Sequence, residues 1–185
     1  YWEVYIFAND IPTHRFADIL KKRASMGVSV KIIIDSLGSL DFSPEIAKEL
    51  RASGVELIYF NELLTFWNPR RLWRWVFLRT HRKLLIIDGK IGFIWSVNVG
   101  RKYKKWQELH LQVTGLILQH FIESFAKMYK YCGGQDTIII PLKNRHQVSS
   151  WLLEHAPWQK HKIIKNYYFW FFENRKIRLP VIVFS

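Results

Sequence analysis

Apolar and polar positions divide the first third of the chain into alternating strands and helices. The pattern predicts strands over residues 3–8, 28–35 and 55–60 and helices over about 13–26 and 44–53. Gly27 and Gly54 are predicted to end the two helices. This order is typical of right-handed βαβ units with parallel strands. We therefore expect an α/β domain with a mixed, largely parallel sheet that is flanked by helices on both faces.

A β-hairpin is predicted over residues 81–99. Two β-branched runs flank Asp88-Gly89, a dipeptide favoured in tight hairpin turns because both residues tolerate positive φ. If these two residues form the whole loop, Lys83 faces Ile94 across the ladder. Asp88 then lies at the turn, far from the open end, and we assign it the structural role of holding the turn.

One face of this hairpin carries a cluster of polar residues near its open end. Side chains alternate faces along each strand, which separates the residues there into two groups. His81, Lys83, Ser96 and Asn98 are predicted on one face, and Arg82 and Trp95 on the other. An imidazole, an ammonium, a hydroxyl and a carboxamide supply a nucleophile or proton carrier and three groups that can hold an anion's oxygens. Phosphate esters fit this set.

The rest of the chain is predicted to continue with shorter elements. They are a strand over 108–113, an amphipathic helix over 116–131, a strand over 137–140, a short helix around 146–155, and an aromatic-rich helix with a final strand within 162–185. The final strand, 181–185, echoes the first one.

The composition favours an anionic partner. The 185 residues include 28 Lys and Arg against 15 Asp and Glu, and the net charge of +13 favours nucleic acid or an anionic bilayer surface. Nine Trp and thirteen Phe favour the membrane interface, where such rings settle at headgroup depth. The hydrophobic fraction of 49% is enough for a substantial core and excludes a disordered chain.

A basic and aromatic segment, residues 63–79, has three interpretations. In the first it is an interfacial segment on anionic lipid, and in the second it is an ordinary connection whose rings fill the core. We give these two interpretations equal weight. Stacking on single-stranded nucleic acid is the third and weaker interpretation.

Several features limit the class of protein. Cys132 is the single cysteine, which excludes an intrachain disulfide. His146, His155 and His161 are predicted at the surface, since their spacing does not fit a metal site. No apolar run reaches about 18 residues, so no membrane-spanning helix is predicted. The missing initial Met and the strand-like ends indicate a fragment.

The spacing His81-x-Lys83-x-x-x-x-Asp88, followed by Ser96 and Asn98, resembles the signature of the phospholipase D superfamily. Within that superfamily, Trp106-Gln107-Glu108-Leu109-His110 is most similar to the N-terminal repeat of bacterial cardiolipin synthase.

The likeness extends over about residues 1–132. It includes Asp35-Ser36-Leu37-Gly38-Ser39, which resembles a D-G-x-G-S segment of the family, although an Asp that closes a strand is usually a turn residue. Trp95 departs from the family pattern, which has Gly at this position.

The resemblance implies a phospholipase D-like fold and a phosphatidyltransferase that acts on phospholipid phosphodiesters through a phosphohistidine. It implies His81, Lys83, Asp88 and Glu108 as catalytic residues, and Lys83, Ser96 and Asn98 as ligands of the substrate phosphate. Glu108 is expected to orient His81 by accepting its second ring N–H. No metal and no cofactor are implied.

The resemblance also implies a paired site, completed by a second motif from a missing repeat or from a homodimer partner. In two-repeat members of the superfamily the second repeat opens with a strand such as 181–185. We therefore expect a catalytic repeat over residues 1–134, a connecting segment over 135–161 and the possible start of a second, truncated repeat over 162–185. The expected partner is an anionic phospholipid membrane, and the expected location is the cytoplasmic side of a bacterial cell membrane.

Two alternatives stay open. One is a phosphodiesterase or nuclease of the same superfamily that completes its site as a homodimer and binds nucleic acid. The other is an inactive fragment that binds membranes or nucleic acid.

Overall fold

A computed structural model describes residues 1–62, 79–96, 98–103, 109–135, 138, 151–153 and 181–183. The strands are β1 (Trp2–Val4), β2 (Lys31–Asp35), β3 (Glu56–Phe60), β4 (Leu84–Ile87), β5 (Ile91–Trp95), β6 (His110–Thr114), β7 (Trp151–Leu153) and β8 (Val181–Val183). The helices are α1 (Ile11–Ser25), α2 (Pro44–Ala52) and α3 (Leu118–Tyr131), with a short 3₁₀ helix at Arg101–Tyr103. None of these described helices is both long enough and apolar enough to cross a membrane.

The first two helices begin and end at residues that cap helices well. The Asp10 carboxylate at the start of α1 and the Ser43 hydroxyl at the start of α2 each accept a hydrogen bond from a backbone N–H three residues later. Beyond the C-termini, Gly27 and Gly54 have φ of 83° and 88°. Glycine adopts this left-handed conformation without the steric cost of a Cβ. The two predicted helices are confirmed.

Six strands form one mixed sheet in the order β3-β2-β1-β4-β5-β6. The β1–β2 and β2–β3 pairs are parallel, as the βαβ pattern predicts, whereas β1–β4, β4–β5 and β5–β6 are antiparallel. The α/β class and the mixed sheet are confirmed. The expectation of a largely parallel sheet is corrected, because β1 takes β4 of the hairpin as its second neighbour.

Apolar side chains fill a core on each face of this sheet. Alternation along β2 sends Ile32 and Ile34 to the face covered by α1 and α2, and Ile33 to the face covered by α3. Leu50 of α2 and Phe125 of α3 are fully buried in these two cores. Helices on both faces are therefore confirmed. Because they cover both faces, exposed polar groups are expected at the edges of the sheet.

The β4–β5 hairpin is confirmed, but its register differs from the predicted one by one residue. Leu84, rather than Lys83, faces Ile94. The loop contains three residues, 88–90, instead of the expected two. Its Asp88-Gly89 pair adopts positive φ of 53° and 61°, as the dipeptide predicts, and a third residue completes the connection.

This shift changes the face on which Trp95 lies. Trp95 packs with Leu85 against the core under α1 and α2. Alternate residues of a strand share a face, so Lys83 points to the same side of the sheet as Leu85. The Trp95 N–H donates to the Lys83 carbonyl at 3.4 Å. We expected Trp95 on the face of the sheet opposite to the face of Lys83. This expectation is wrong, because it depended on the two-residue loop.

Beyond residue 138, the structure describes two short strands. Residues 151–153, predicted within a helix, instead form β7, which pairs parallel to β8. Pairing with a distant β-branched strand overrides the weak local helix preference. The predicted strand at 181–185 is confirmed over 181–183. The remaining parts of the predicted connecting segment and second repeat lie largely outside the described residues.

Candidate active site

Polar residues of the hairpin meet the ends of the parallel strands at one edge of the sheet. Tyr5 follows β1, and Asp35 closes β2. Because β4 runs antiparallel to β1, His81 and Lys83, which precede β4, lie at the edge where β1 and β2 end. The topology therefore brings together residues that are far apart in the sequence.

His81 and Lys83 contact each other. Lys83 is only 2% exposed, and its ammonium donates to the His81 carbonyl at 3.0 Å. The same nitrogen lies 3.4 Å from each of the two ring nitrogens of His81. The Tyr5 ring packs against both residues, with its centroid 4.6 Å from that of the His81 ring and 5.3 Å from Lys83 Nζ. A buried ammonium thus lies directly behind an exposed imidazole.

The surroundings favour the neutral form of His81. Burial of part of the ring, and then the positive charge of Lys83, lower the pKa of His81 from its ordinary value of 6.5, while Asp35 acts in the opposite direction. A neutral imidazole has a lone pair on one ring nitrogen. His81 is therefore suited to attack an electrophile or to accept a proton near neutral pH.

Asn98 reaches the same edge through a crossover of the chain. Beyond β5, Val99 forms a parallel bridge with Phe7. The Val99 N–H donates to the Ile6 carbonyl at 3.0 Å, and the Ala8 N–H donates to the Val99 carbonyl at 3.1 Å. The carboxamide oxygen of Asn98 is buried and has no hydrogen-bond partner among the described residues. Asn98 therefore has an unused hydrogen-bond acceptor at this edge.

Ser96 instead extends the pairing of β5 with β6. Its hydroxyl accepts a hydrogen bond from the Leu109 N–H at 3.2 Å, and its own N–H donates to the Leu109 carbonyl at 3.3 Å. Beside it, the Trp95 ring stacks on the His110 ring with centroids 6.5 Å apart. These contacts hold the first residues of β6 against the end of β5.

The two other predicted catalytic residues, Asp88 and Glu108, have different outcomes. Asp88 is exposed in the hairpin turn, at the opposite end of β4. Extended chain at about 3.3 Å per residue separates it from His81 by roughly 20 Å, which agrees with its assigned role in the turn. Glu108 lies outside the described residues, as does segment 63–78. Across the described ranges, no group of three His, Cys, Asp or Glu side chains could hold a metal ion.

A buried polar network beneath the site was missed by sequence reasoning. The Thr80 hydroxyl donates to the Glu3 carboxylate at 2.7 Å. Arg82 forms an ion pair with Glu3 at 3.3 Å and donates to the Ser124 hydroxyl of α3 at 2.5 Å. Thr80 and Arg82 flank His81, so the network fixes the backbone that carries the imidazole. The available signal was Arg82 itself, because an inward-facing Arg in a strand needs a buried carboxylate.

This α/β domain brings an imidazole and a buried ammonium into contact at a sheet edge, and these two groups can supply the nucleophile and the positive charge that phosphate-ester chemistry uses. Residues 2–129 match the family described as "Cardiolipin synthase, PLD-like domain". The chain belongs to this family, and the predicted resemblance is confirmed.

Individual relatives agree with this assignment. The chain is 30% identical over 181 residues to the cardiolipin synthase of Geobacillus kaustophilus (strain HTA426), covering 90% of this chain and 35% of the relative. It is 30% identical over 141 residues to the probable cardiolipin synthase YwiE of Bacillus subtilis (strain 168), covering 72% of this chain and 27% of the relative. The chain thus spans about a third of the length of the curated relatives that it matches.

Among solved structures, the phospholipase D family member Nuc from Salmonella typhimurium is similar with a TM-score of 0.49. The identity is 20%, and the match covers 72% of this chain and 76% of that chain.

Proposed function

We propose that this chain supplies one half of the active site of a cardiolipin synthase-like phosphatidyltransferase. The observation that carries the proposal is the contact between His81 and the buried ammonium of Lys83, in a chain whose relatives are named cardiolipin synthases. The substrate is a phospholipid phosphodiester, from which the phosphatidyl group moves to an acceptor alcohol.

The reaction proceeds in two displacements at phosphorus. A ring nitrogen of His81 forms a bond to phosphorus, the bond to the leaving alcohol breaks, and that alcohol takes a proton from an acid of the second motif. The acceptor alcohol then gives its proton to the same group and attacks phosphorus, which breaks the bond to His81. Each step balances without a metal or a cofactor.

Two groups are proposed to stabilise the charge that develops on the phosphoryl oxygens. Lys83 presents an ammonium, and Asn98 presents a carboxamide from the crossover. Ser96 is proposed as a supporting donor, in addition to its contacts with Leu109. Glu108 is proposed to orient the imidazole.

The second motif comes from the part of the full-length protein not represented in this chain or from a second copy of the chain. A single motif supplies one histidine, whereas the two displacements need a nucleophile and a separate acid. We assign residues 1–134 to the catalytic repeat, 135–161 to a connection and 162–185 to the start of the next repeat.

The proposed partner is the anionic surface of a bacterial cell membrane, on its cytoplasmic side. The net charge of +13 supports an anionic partner, and the 63–79 segment adds aromatic and basic residues. The same charge also supports the second candidate, a phosphodiesterase or nuclease that completes its site as a homodimer.

The decisive experiment is covalent labelling in the full-length protein. Incubation with vesicles of phosphorus-labelled phosphatidylglycerol should leave an acid-labile, base-stable label on the parent and none on the His81→Asn variant. Asn keeps the approximate size and some hydrogen bonding but has no nucleophilic nitrogen. His14→Asn, at an exposed position of α1, is the matched control and should label like the parent.

Three results separate the candidates. Transfer to an alcohol that is lost in His81→Asn supports the phosphatidyltransferase. Cleavage of nucleic acid without lipid labelling supports the second candidate. Lipid turnover that persists in His81→Asn overturns the assignment of this motif as the catalytic centre.

A further inference from the structure

Asp35, at the end of β2, contacts both of the segments that form the site. Its side chain is fully buried, and its two oxygens have different partners. Oδ1 accepts from the N–H groups of Leu37 and Gly38 at 3.1 and 2.9 Å and from the Arg79 guanidinium at 3.2 Å. Oδ2 accepts from the Thr80 N–H at 3.0 Å.

The contact with Thr80 exceeds what a turn residue provides. An Asp that closes a strand usually bonds its own backbone two or three residues on, which Oδ1 does here. Oδ2 is not needed for that turn. It accepts a hydrogen bond from the backbone N–H of Thr80, the residue immediately before His81. The carboxylate therefore fixes the backbone from which the imidazole projects.

A second path runs from Asp35 to His81 through Tyr5. The loop that follows Asp35 places Gly38 so near the Tyr5 backbone that a Cβ there would lie 2.3 Å from the Tyr5 carbonyl oxygen. The Ser39 hydroxyl donates to the same carbonyl at 3.1 Å. The Tyr5 ring in turn packs on the His81 ring with centroids 4.6 Å apart. The loop thus positions the surface on which the imidazole rests.

We propose that Asp35 is a positioning residue of the active site, which holds His81 from two sides through Thr80 and through Tyr5. This inference rests on the proposed role of His81. Asp35 does not contact the imidazole itself, so its effect is on the geometry and the charge of the site. The sequence places Asp35 in a segment that resembles a D-G-x-G-S segment of the family, but that likeness alone assigns no role to the carboxylate.

The charge of Asp35 gives the inference a readout that does not depend on turnover. The charged and titratable groups that contact His81 or act on its charge are Lys83 of its own segment, Tyr5 after β1 and Asp35 after β2. Arg79 forms an ion pair with Asp35. Asp35 raises the pKa of His81, against the effects of burial and Lys83. Its removal should lower that pKa further.

The test compares Asp35→Asn with Glu3→Gln by NMR titration of the His81 imidazole in the 185-residue chain. Both changes remove one fully buried carboxylate that bonds Thr80, so both weaken the same segment. Asp35→Asn should shift the His81 titration to lower pH, whereas Glu3→Gln should leave it in place. The inference is overturned if the pKa of His81 is the same in the parent and in Asp35→Asn.

Turnover in the full-length protein supplies the second measurement. Asp35→Asn should lower kcat by about 10- to 100-fold with little change in KM, the range found when a group that orients a functional side chain is removed. Unchanged kcat per folded molecule overturns the inference. If the parent itself shows no phosphatidyl transfer, the proposed function fails, and the titration still decides the role of Asp35.

A third variant keeps the inference testable if Asp35→Asn does not fold. Gly38→Ala forces the loop away from Tyr5 but leaves the Asp35 side chain intact, and it should lower kcat within the same range. Gly27→Ala, at φ 83° with no atom within 4 Å of the added Cβ, is the control for a general loss of stability. It should lower stability without lowering kcat per folded molecule. Parent-like kcat in Gly38→Ala contradicts the path through Tyr5.

Discussion

The contact between Lys83 and His81 joins two requirements of phosphoryl transfer in one pair of residues. Burial of part of the ring and then the ammonium of Lys83 lower the pKa of the His81 imidazole, which favours its neutral form. In the mechanism that we propose, the same ammonium also provides positive charge close to the nitrogen that attacks phosphorus. Burial of Lys83 strengthens both effects, because charges interact more strongly away from water.

Replacing Lys83 with Met should separate these two effects. The pKa of His81 should rise, since a positive charge that lowers it is removed, and NMR titration of the imidazole measures the change. At the same time, kcat should fall by about 100- to 1,000-fold, as expected when one donor to a developing oxyanion is lost. Lys90→Met, exposed in the hairpin turn, is the control and should change neither quantity. A His81 pKa that falls or stays constant in Lys83→Met contradicts the described contact.

Local spacing was enough to predict that His81 and Lys83 lie together, but not which residues support them. The motif lies within a few residues of sequence, and its chemistry follows from the side chains alone. Asp35 and Glu3 act on Thr80 from 45 and 77 residues away in the chain. Which of the buried carboxylates would meet this segment depends on the strand order, which the sequence pattern does not give.

At the scale of single elements, the β4–β5 turn depends on backbone conformation more than on side-chain contacts. Gly89 has φ 61°, and a Cβ added there would lie 3.6 Å from Ile122 Cδ1, an ordinary van der Waals distance. Gly89→Ala should therefore reduce the free energy of unfolding by about 1 kcal/mol through the left-handed backbone alone. Urea denaturation measures this loss, and Lys90→Ala should show almost none. Full parental stability in Gly89→Ala would mean that the turn has another conformation.

Helix boundaries were predictable at this scale, whereas the hairpin register was not. Asp10, Ser43 and the glycines after α1 and α2 act through hydrogen bonds and φ values close to them in the sequence. Asp88-Gly89 occurs in both two-residue and three-residue loops, which differ by one position in every cross-strand pair. The error of one residue placed Trp95 on the wrong face.

At the scale of the whole molecule, the chain contains one His-x-Lys motif for a reaction that we propose to need two. We predict that the 185-residue chain is inactive as a monomer. Its specific activity on phosphodiesters should disappear on dilution below the dimerisation constant, because the second acid must come from another copy. Assays over a concentration series, paired with sedimentation velocity, provide the measurement.

The full-length protein is the control for this prediction. If it carries the second motif itself, its specific activity should be independent of concentration. A monomeric 185-residue species that hydrolyses phosphodiesters at constant specific activity would falsify the paired site.

The central place of β1 in the sheet affects how the chain can fold during synthesis. β1 is made first and can pair with β2 early, but its other neighbour, β4, leaves the ribosome only after about 80 more residues. Until then β1 is a strand with one open edge, and Glu3 has no Arg82 to neutralise it. Open strand edges recruit other chains. The interval between synthesis of β2 and β4 is therefore the period in which this protein most needs protection from aggregation.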